Sequence, residues 1–207
     1  QNEKTPSFTV NNEKQFYHCF SSNKHGDIFT FLVDVEGLSF PQAVEQLAEQ
    51  AGVELRALTK DEEKKISGRK KLYSIMEMAN DFFINNLLSD NRALGYLNKR
   101  GINKEAISEY KIGYAKDNFS SLHKHLLDKG ILNEDILLAG LIIKSEKKKN
   151  SYYDRYRDRI IFPITNTYGK IVGFGGRVIN EDNKPKYMNS PETEIFHKGN
   201  LLYNYSN

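Results

Sequence analysis

Cysteine is almost missing from this sequence, which has one such residue, Cys19, among 207. A single thiol cannot form a disulfide within the chain, so the class of small, disulfide-rich secreted proteins is excluded. Long hydrophobic runs are missing too: no stretch of about eighteen apolar residues predicts a membrane span. The N-terminal residues do not form a signal-like segment either. We therefore expect a cytoplasmic protein without a membrane partner.

The sequence also has little net charge. Its 30 Lys and Arg residues are nearly balanced by 27 Asp and Glu residues, which leaves a net charge of +3. Such a chain has no strong overall positive field, so binding to nucleic acid would depend on local clusters of basic residues. Apolar residues make up 39% of the chain and charged residues 28%, values typical of a folded globular protein with one or two domains.

The residue pattern predicts a mixed α/β (α+β) protein, beginning with a small domain at residues 1–56. Short aromatic and β-branched runs at 7–10 and 15–20, separated by a polar turn, predict a β-hairpin, and two helices follow it. Residues 57–71 are rich in charge and poor in apolar side chains. This composition indicates a solvated linker or the start of a helix, and it marks the expected domain boundary.

The second expected domain, residues 72–207, is helical first and then changes to antiparallel strands. Its apolar residues recur at helical spacing from Leu72, which predicts a long amphipathic helix to about Leu88. Shorter helices are expected at 92–99, 104–109, 120–128 and 133–138. Strands are expected at 159–164 and 171–174, on either side of a turn.

The last quarter of the chain concentrates glycine, basic and small polar residues. Arg155, Arg157 and Arg159 lead into Gly-Phe-Gly-Gly at 173–176, and Pro-Lys-Tyr-Met-Asn-Ser follows at 185–190. Glycine allows a backbone to approach a phosphate closely, while basic and small polar side chains supply charge and neutral donors. Each residue alone fits an ordinary turn or surface, but their order in one run indicates a track for nucleic acid.

This run resembles the N-terminal, basic part of the RNA-polymerase domain of bacterial DNA primases, which lay down RNA primers on single-stranded template. Glu-Lys-Thr-Pro-Ser-Phe-Thr-Val at 3–10, Tyr-His-Cys-Phe at 17–20 and His-Gly-Asp at 25–27 resemble the zinc ribbon of the same family. The order and the separation of the two parts also match. The resemblance implies a template-recognition domain followed by a basic subdomain of the polymerase.

The resemblance also implies which residues contact template or nascent RNA–DNA heteroduplex. Four basic residues match such positions: Arg100, Arg177, Lys186 and Lys198. Asn189 and Ser190 are expected to add neutral contacts and to hold the shape of their loop. Tyr187 either stacks on a base or packs beneath that loop. We expect this track to tolerate different sequences, because nothing in it resembles a helix aimed at base edges.

The zinc ligands that the family pattern implies are incomplete. A structural zinc site needs four thiolate or imidazole ligands. Cys19 stands at the first position of the family's Cys-x-x-Cys pair, but Ser22 stands at the second, and Gln1 stands at the expected His. His18 should point to the opposite face of the strand from Cys19. Cys19 is therefore the one candidate zinc ligand, and we expect a degenerate ribbon held by aromatic residues and helices.

No catalytic residue is expected in this fragment. Phosphoryl transfer needs metal ions held by clustered carboxylates, and Asp154 and Asp158 are better explained as salt-bridge partners of nearby arginines. The resemblance implies that magnesium or manganese is held by an acidic Toprim module beyond Asn207. It further implies ribonucleoside triphosphates as substrates, and a replicative helicase that binds a more C-terminal domain.

Two functions remain open from the sequence. The first is that of a DNA primase, of which this fragment binds and guides template and primer. The second is a non-catalytic protein that binds single-stranded nucleic acid and descends from a primase that has lost its zinc. The sequence contains neither a Gly-x-x-x-x-Gly-Lys-Ser/Thr phosphate loop nor a nucleophile elbow, so no other enzyme class is indicated.

Overall fold

The computed structural model describes residues 7–146, 148, 151–180, 182 and 184–200. The chain forms two compact units, Gln1–Thr59 and Lys60–Asn207. In the part of the chain so described, no helix combines the length and the apolar character needed to cross a membrane.

The first unit is a three-stranded antiparallel sheet followed by two helices. The strands lie in the order β1 (Phe8–Asn11), β2 (Phe16–Cys19) and β3 (Lys24–Gly26), and the helices are α1 (Ile28–Asp34) and α2 (Phe40–Gln50). The hairpin and both helices agree with the sequence prediction. β3 is too short and too polar to be predicted from its own residues.

Aromatic side chains form the centre of this first unit. Tyr17 is 4% exposed. Its ring stacks on Phe8 at a centroid distance of 5.5 Å and meets the edge of Phe31 at 5.3 Å. Asp27 begins α1, because its carboxylate accepts a hydrogen bond of 2.8 Å from the backbone N–H of Thr30. The sheet and α1 are thus joined through a small aromatic cluster.

The second unit contains five helices and six strands within its described residues. The helices are α3 (Lys60–Leu88), α4 (Asn91–Lys99), α5 (Lys104–Glu109), α6 (Ser121–Asp128) and α7 (Asn133–Leu138). One sheet has the antiparallel order β4 (Gly113–Ala115), β7 (Arg159–Thr165), β8 (Ile171–Val178), β9 (Tyr187–Asn189). A second sheet pairs β5 (Ile142–Lys144) with β6 (Tyr152–Asp154).

The charged segment before Leu72 is helical from Lys60 onward, so most of the expected linker is the first part of α3. Acidic residues fill the first turn of this helix. Their negative charges stabilise the helix because its N-terminal end carries a partial positive charge. Two of its basic side chains reach other elements of the unit: Arg69 pairs with Glu194 at 3.1 Å, and Lys71 pairs with Asp135 at 2.5 Å. Of the two alternatives for this segment, the helix start is the correct one.

One face of the four-stranded sheet packs against α3. Phe83 of α3 is 1% exposed and meets the ring of Phe174 on β8 at 5.4 Å. Gly113 on β4 allows the closest approach, because a Cβ atom there would lie 2.4 Å from the Cβ of Phe83. α4 and α5 pack on the opposite face of the sheet, where Leu97 and Ile160 share a core cluster. The part of that face over β8 and β9 carries the candidate site.

Candidate nucleic-acid interface

A groove of about 490 Å³ runs over β8 and β9, and we call it the β8–β9 groove. Its lining combines a glycine-rich strand floor with apolar, aromatic and basic side chains. These residues are Phe162, Ile164, Gly175, Gly176, Arg177, Tyr187, Asn189, Phe196 and Lys198. Arg177 and Tyr187 are paired across the two strands, as are Gly175 and Asn189. Side chains of these pairs therefore share one face of the sheet.

Arg177 is the centre of this groove, and two tyrosines hold its guanidinium. Its Nε donates a hydrogen bond of 2.8 Å to the hydroxyl of Tyr96 on α4. Its Nη1 donates to the hydroxyl of Tyr187, and the guanidinium lies 5.0 Å from the centroid of the Tyr187 ring. The orientation of a long, flexible side chain is thereby fixed before any ligand arrives.

Arg100 continues the same surface along α4. It lies just after the last helical residue, and its guanidinium is 4.9 Å from the centroid of the Tyr96 ring. Arg100, Tyr96, Arg177 and Tyr187 thus form one connected series of alternating basic and aromatic side chains. Tyr96 is not among the site residues expected from the sequence. Its signal in the sequence is an aromatic residue four positions before Arg100, a spacing that places two side chains on the same face of a helix.

The other residues predicted to contact nucleic acid lie in the groove or beside it. Asn189 and Lys198 line the groove. Lys186 is exposed beside it, and its backbone carbonyl accepts a hydrogen bond from Val178 that extends the β8–β9 pairing. The exposed fraction of Tyr187 is 59%, so its ring packs on Arg177 and not beneath the loop.

Ser190 is buried, with an exposed fraction of 1%. Its hydroxyl accepts a hydrogen bond of 2.9 Å from the backbone N–H of Phe174 and lies 3.0 Å from the hydroxyl of Tyr156. Of the two roles expected for Ser190, these contacts fit the shaping of the loop. They leave its side chain inside the protein rather than on the groove surface.

Arg155, Arg157 and Arg159 lie outside the β8–β9 groove, although they belong to the same basic run of the sequence. They line a separate pocket together with Lys184. Arg159 pairs with Val178 on β8, whereas Ile160 pairs with Arg177, so alternation along the strand directs Arg159 to the other face of the sheet. Sequence proximity alone could not separate the two faces.

The two aspartates of this run have structural roles. Asp158 forms an ion pair with Arg92 and accepts a hydrogen bond of 2.8 Å from the hydroxyl of Tyr114. Asp154 accepts hydrogen bonds of 2.9 Å each from the backbone N–H groups of Leu122 and His123, at the start of α6. Burial raises the pKa of Asp154. A salt bridge is therefore found for Asp158, while Asp154 caps a helix.

Cys19 lies at the end of β2, with its Sγ 3.3 Å from the hydroxyl oxygen of Ser21. Hydrogen bonds with Ser21 and then Ser22 lower the pKa of the Cys19 thiol to about 7. The His18 ring stacks on that of His25 at 5.7 Å. Among the described residues, no group of three or more His, Cys, Asp or Glu side chains is placed to hold a metal ion.

Two family models match this chain. Residues 82–207 match the family described as "DNA primase catalytic core, N-terminal domain". Residues 1–63 match the family described as "CHC2 zinc finger". The second match covers the first compact unit, and the first match covers most of the second unit.

Curated relatives include DNA primases from several bacteria. The chain is 43% identical over 201 residues to the DNA primase of Deinococcus radiodurans, covering 97% of this chain and 34% of that protein. It is 41% identical over 206 residues to the DNA primase of Clostridium acetobutylicum, covering 97% of this chain and 33% of that protein. The chain thus spans about a third of the length of the curated relatives that it matches.

Solved structures give the same relationship. The Aquifex aeolicus primase, with its zinc-binding and RNA polymerase domains, is similar with a TM-score of 0.59 and 33% identity, over 98% of this chain and 48% of that one. A DnaG primase catalytic domain bound to single-stranded DNA is similar with a TM-score of 0.62 and 36% identity, over 68% of this chain and 45% of that one. On the family matches and these likenesses, the chain belongs to the bacterial DNA primase family.

Proposed function

We propose that this chain is the template-binding part of a DNA primase that synthesises short RNA primers on single-stranded DNA. The observation that carries the proposal is the position of Arg177 between Tyr96 and Tyr187 on the floor of the β8–β9 groove. A positive charge held between a half-buried and an exposed aromatic side chain suits a strand that offers phosphates and bases in alternation.

The groove has side chains suited to the phosphates of a strand and side chains suited to its bases. Arg177 and Lys198 bring positive charge, which attracts the phosphate backbone whatever the base sequence. Tyr187 is the most exposed aromatic ring of the groove and can stack on an unpaired base. Asn189 adds a neutral donor and acceptor beside them. Such a surface binds single-stranded DNA independently of its base sequence.

The glycines of β8 bring the backbone into reach of the strand. Gly175 lies at the groove floor opposite Asn189, and a Cβ at Gly175 would stand 3.4 Å from the Oδ1 of Asn189. Because no side chain rises from this position, a phosphate or sugar can approach the floor between Arg177 and Lys198. Arg100, beside Tyr96, and the exposed Lys186 add further positive charge near the groove.

The other parts of the activity belong to the whole protein. Its relatives are named DNA primases, and this chain spans about a third of their length. We infer that magnesium or manganese ions and ribonucleoside triphosphates bind an acidic module in another part of the whole protein. The RNA–DNA heteroduplex then leaves along the basic subdomain. The replicative helicase binds a further domain of the whole protein, and the enzyme works in the cytoplasm.

Zinc does not fit the residues that the structure describes in the first unit. The family match to a zinc finger implies four thiolate or imidazole ligands. Cys19 supplies one thiolate, Ser21 and Ser22 surround it with hydroxyls, and the rings of His18 and His25 stack on one another. The aromatic cluster around Tyr17 therefore carries the stability of this unit in our account.

The template-binding proposal is tested with a fluorescently labelled single-stranded DNA and a salt series. Each phosphate contact in single-stranded DNA contributes about 0.7 to the slope of log affinity against log salt. We expect Arg177→Ala to weaken binding about tenfold and to flatten the slope by roughly this amount, and the further change Lys186→Ala to flatten it again.

A matched control is Lys124→Ala, which removes an exposed charge on α6 outside the groove. We expect the control to bind as the unchanged protein does. If Arg177→Ala binds with unchanged affinity and slope, or if Lys124→Ala loses as much, the groove is not the template site and the proposal fails.

A further inference from the structure

A second basic pocket, of about 250 Å³, lies on the face of the sheet opposite the β8–β9 groove. Four of its lining side chains are positive: Arg155, Arg157, Arg159 and Lys184. Two carboxylates, Asp117 and Asp158, also line it. We call this site the arginine pocket, and nothing in the template-binding proposal uses it.

Two of the arginines are held by backbone carbonyls. The Nε of Arg155 donates to the carbonyl of Gly140 at 2.7 Å, and an Nη of Arg157 donates to the carbonyl of Asp154 at 2.6 Å. A guanidinium has five N–H donors, so each of these bonds fixes a side chain while leaving further donors directed elsewhere.

Two aromatic rings lie against the guanidinium of Arg157. Its guanidinium lies 4.6 Å from the centroid of Phe119 and 5.3 Å from that of Tyr153. Stacking on rings restricts the orientation of the guanidinium plane and lowers its hydration, which prepares it for a bidentate partner.

Arg159 is the most buried member, with an exposed fraction of 5%. Within the described residues, the Arg159 side chain forms one hydrogen bond, a long one of 3.5 Å from Nη1 to the carbonyl of Gly176. Burial, and the neighbouring charge of Arg157, lower the pKa of Arg159. A buried charge that repels its neighbour is unfavourable unless an anion balances it.

The two carboxylates of the pocket balance only part of that charge. Asp158 acts to raise the pKa of Arg159, against the effect of burial and of Arg157, but its Oδ1 is also engaged by Arg92 and by the hydroxyl of Tyr114. Asp117 is exposed. Four positive side chains and two carboxylates line the pocket, so positive charge exceeds negative charge in it. Among the described residues, none of the three arginines forms a salt bridge with a carboxylate.

We propose that the arginine pocket binds a compact polyphosphate anion, such as the phosphate tail of a free nucleotide. A planar guanidinium group can donate two parallel hydrogen bonds to two oxygens of one phosphate, and Lys184 adds a point charge at the edge of the pocket. A strand of nucleic acid fits less well, because Arg159 lies inside a small pocket and not along an open track. The pocket is therefore a separate anion site from the β8–β9 groove.

The test is calorimetric titration of the 207-residue chain with tripolyphosphate at constant ionic strength. We expect one anion per chain. Lys184→Gln and Arg155→Gln should each weaken binding by about five- to tenfold, as for the loss of one charge-assisted hydrogen bond. Lys186→Gln in the groove region and Lys124→Gln on α6 should leave the affinity unchanged.

Thermal unfolding without ligand checks that each variant is folded. Lys184 is exposed, so we expect Lys184→Gln to remain folded. This variant therefore tests anion binding in the pocket even if Arg155→Gln is unstable. Absence of binding, an unaltered affinity in Lys184→Gln, or an equal loss in Lys186→Gln would overturn the proposal. So would displacement of tripolyphosphate by single-stranded DNA, because the pocket would then lie on the path of the strand. Failure of DNA to bind at all would refute the template proposal and leave this one standing.

Discussion

Arg177 on β8 donates a hydrogen bond of 2.8 Å from its Nε to the hydroxyl of Tyr96 on α4, a residue 81 positions earlier in the chain. This contact connects a helix that packs on one end of the sheet with the strand at the floor of the β8–β9 groove. The guanidinium of Arg177 also lies over the ring of Tyr187. The groove therefore has a positive charge whose position depends on two tyrosines.

Removal of the Tyr96 hydroxyl should weaken the binding of single-stranded DNA without removing any charge. We expect Tyr96→Phe to lower the affinity about three- to tenfold, the worth of one hydrogen bond that positions Arg177. The salt slope should stay the same, since the number of phosphate contacts is unchanged. Fluorescence anisotropy across a salt series measures both quantities.

Tyr110→Phe is the matched control, because the Tyr110 side chain is 37% exposed and lies outside the groove lining. Its affinity should equal that of the unchanged chain. A Tyr96→Phe protein that binds DNA normally would show that Tyr96 does not position Arg177.

Ser190 should matter for stability rather than for binding. Ser190→Ala removes the hydroxyl that accepts from the Phe174 N–H and contacts Tyr156. An unsatisfied buried donor costs about 1–3 kcal/mol, which urea unfolding should detect. Ser108→Ala, on the exposed side of α5, should change the free energy of unfolding by less than about 0.5 kcal/mol. If Ser190→Ala keeps full stability but loses DNA affinity, Ser190 is a ligand contact after all.

Gly176 lines the β8–β9 groove, and the space beside it has no room for a side chain. A Cβ there would lie 2.9 Å from the Tyr156 ring and 3.1 Å from the Cδ of Arg159. Gly176→Ala should therefore lower the free energy of unfolding by about 1–3 kcal/mol through overpacking. Gly68→Ala makes the same chemical change in α3, where the added Cβ would meet no described atom within 4 Å apart from its own helix backbone and chain neighbours. This change should raise the free energy of unfolding by about 0.5–1 kcal/mol. Equal effects of the two changes would contradict the close packing at Gly176.

Cys19 should react as a free thiol with a low pKa. Its thiol pKa is lowered to about 7 by hydrogen bonds with Ser21 and Ser22, so the thiolate forms as the pH rises through about 7. Alkylation by iodoacetamide should therefore reach half its maximal rate near pH 7. The readout is unambiguous because the chain has no other cysteine.

The alkylation rate of Cys19 also tests whether zinc is bound at this thiol. A zinc-bound thiolate is protected from alkylation until a chelator removes the metal. We expect EDTA to leave both the alkylation rate of Cys19 and the thermal unfolding of the chain unchanged. A chelator-dependent increase in the rate would show that zinc is bound.

The sequence predicts those parts of the fold that depend on local pattern. The helices of the second unit and the strands near 159–164 and 171–174 follow from periodicity, and they are confirmed. The strands of three residues, such as β4 and β9, do not follow, because their pairing partners are distant in the chain and a three-residue run carries no period. The early start of α3 was open for a related reason: charged residues favour a solvated segment and a helix equally well.

The candidate site divides in the same way. Arg177, Tyr187 and Asn189 occur in one run and are brought together by one hairpin, so their grouping follows from the sequence. Tyr96 joins them only through tertiary packing. Serine is usually exposed at the protein surface, so the sequence does not indicate that Ser190 is buried. Its burial depends on the pairing of β8 with β9.

Photocrosslinking tests the central claim, that a single DNA strand lies in the β8–β9 groove, most directly. The two sites have different aromatic rings beside them: Tyr96 and Tyr187 contact Arg177 at the groove, whereas Phe119 and Tyr153 lie against Arg157 of the arginine pocket. A single-stranded DNA carrying 5-iodouracil crosslinks to rings on which it stacks, and mass spectrometry identifies the modified peptide. Our account predicts crosslinks at Tyr187 or Tyr96, lost in Arg177→Ala. Crosslinks at Phe119 or Tyr153 instead would place the strand on the other face and contradict it.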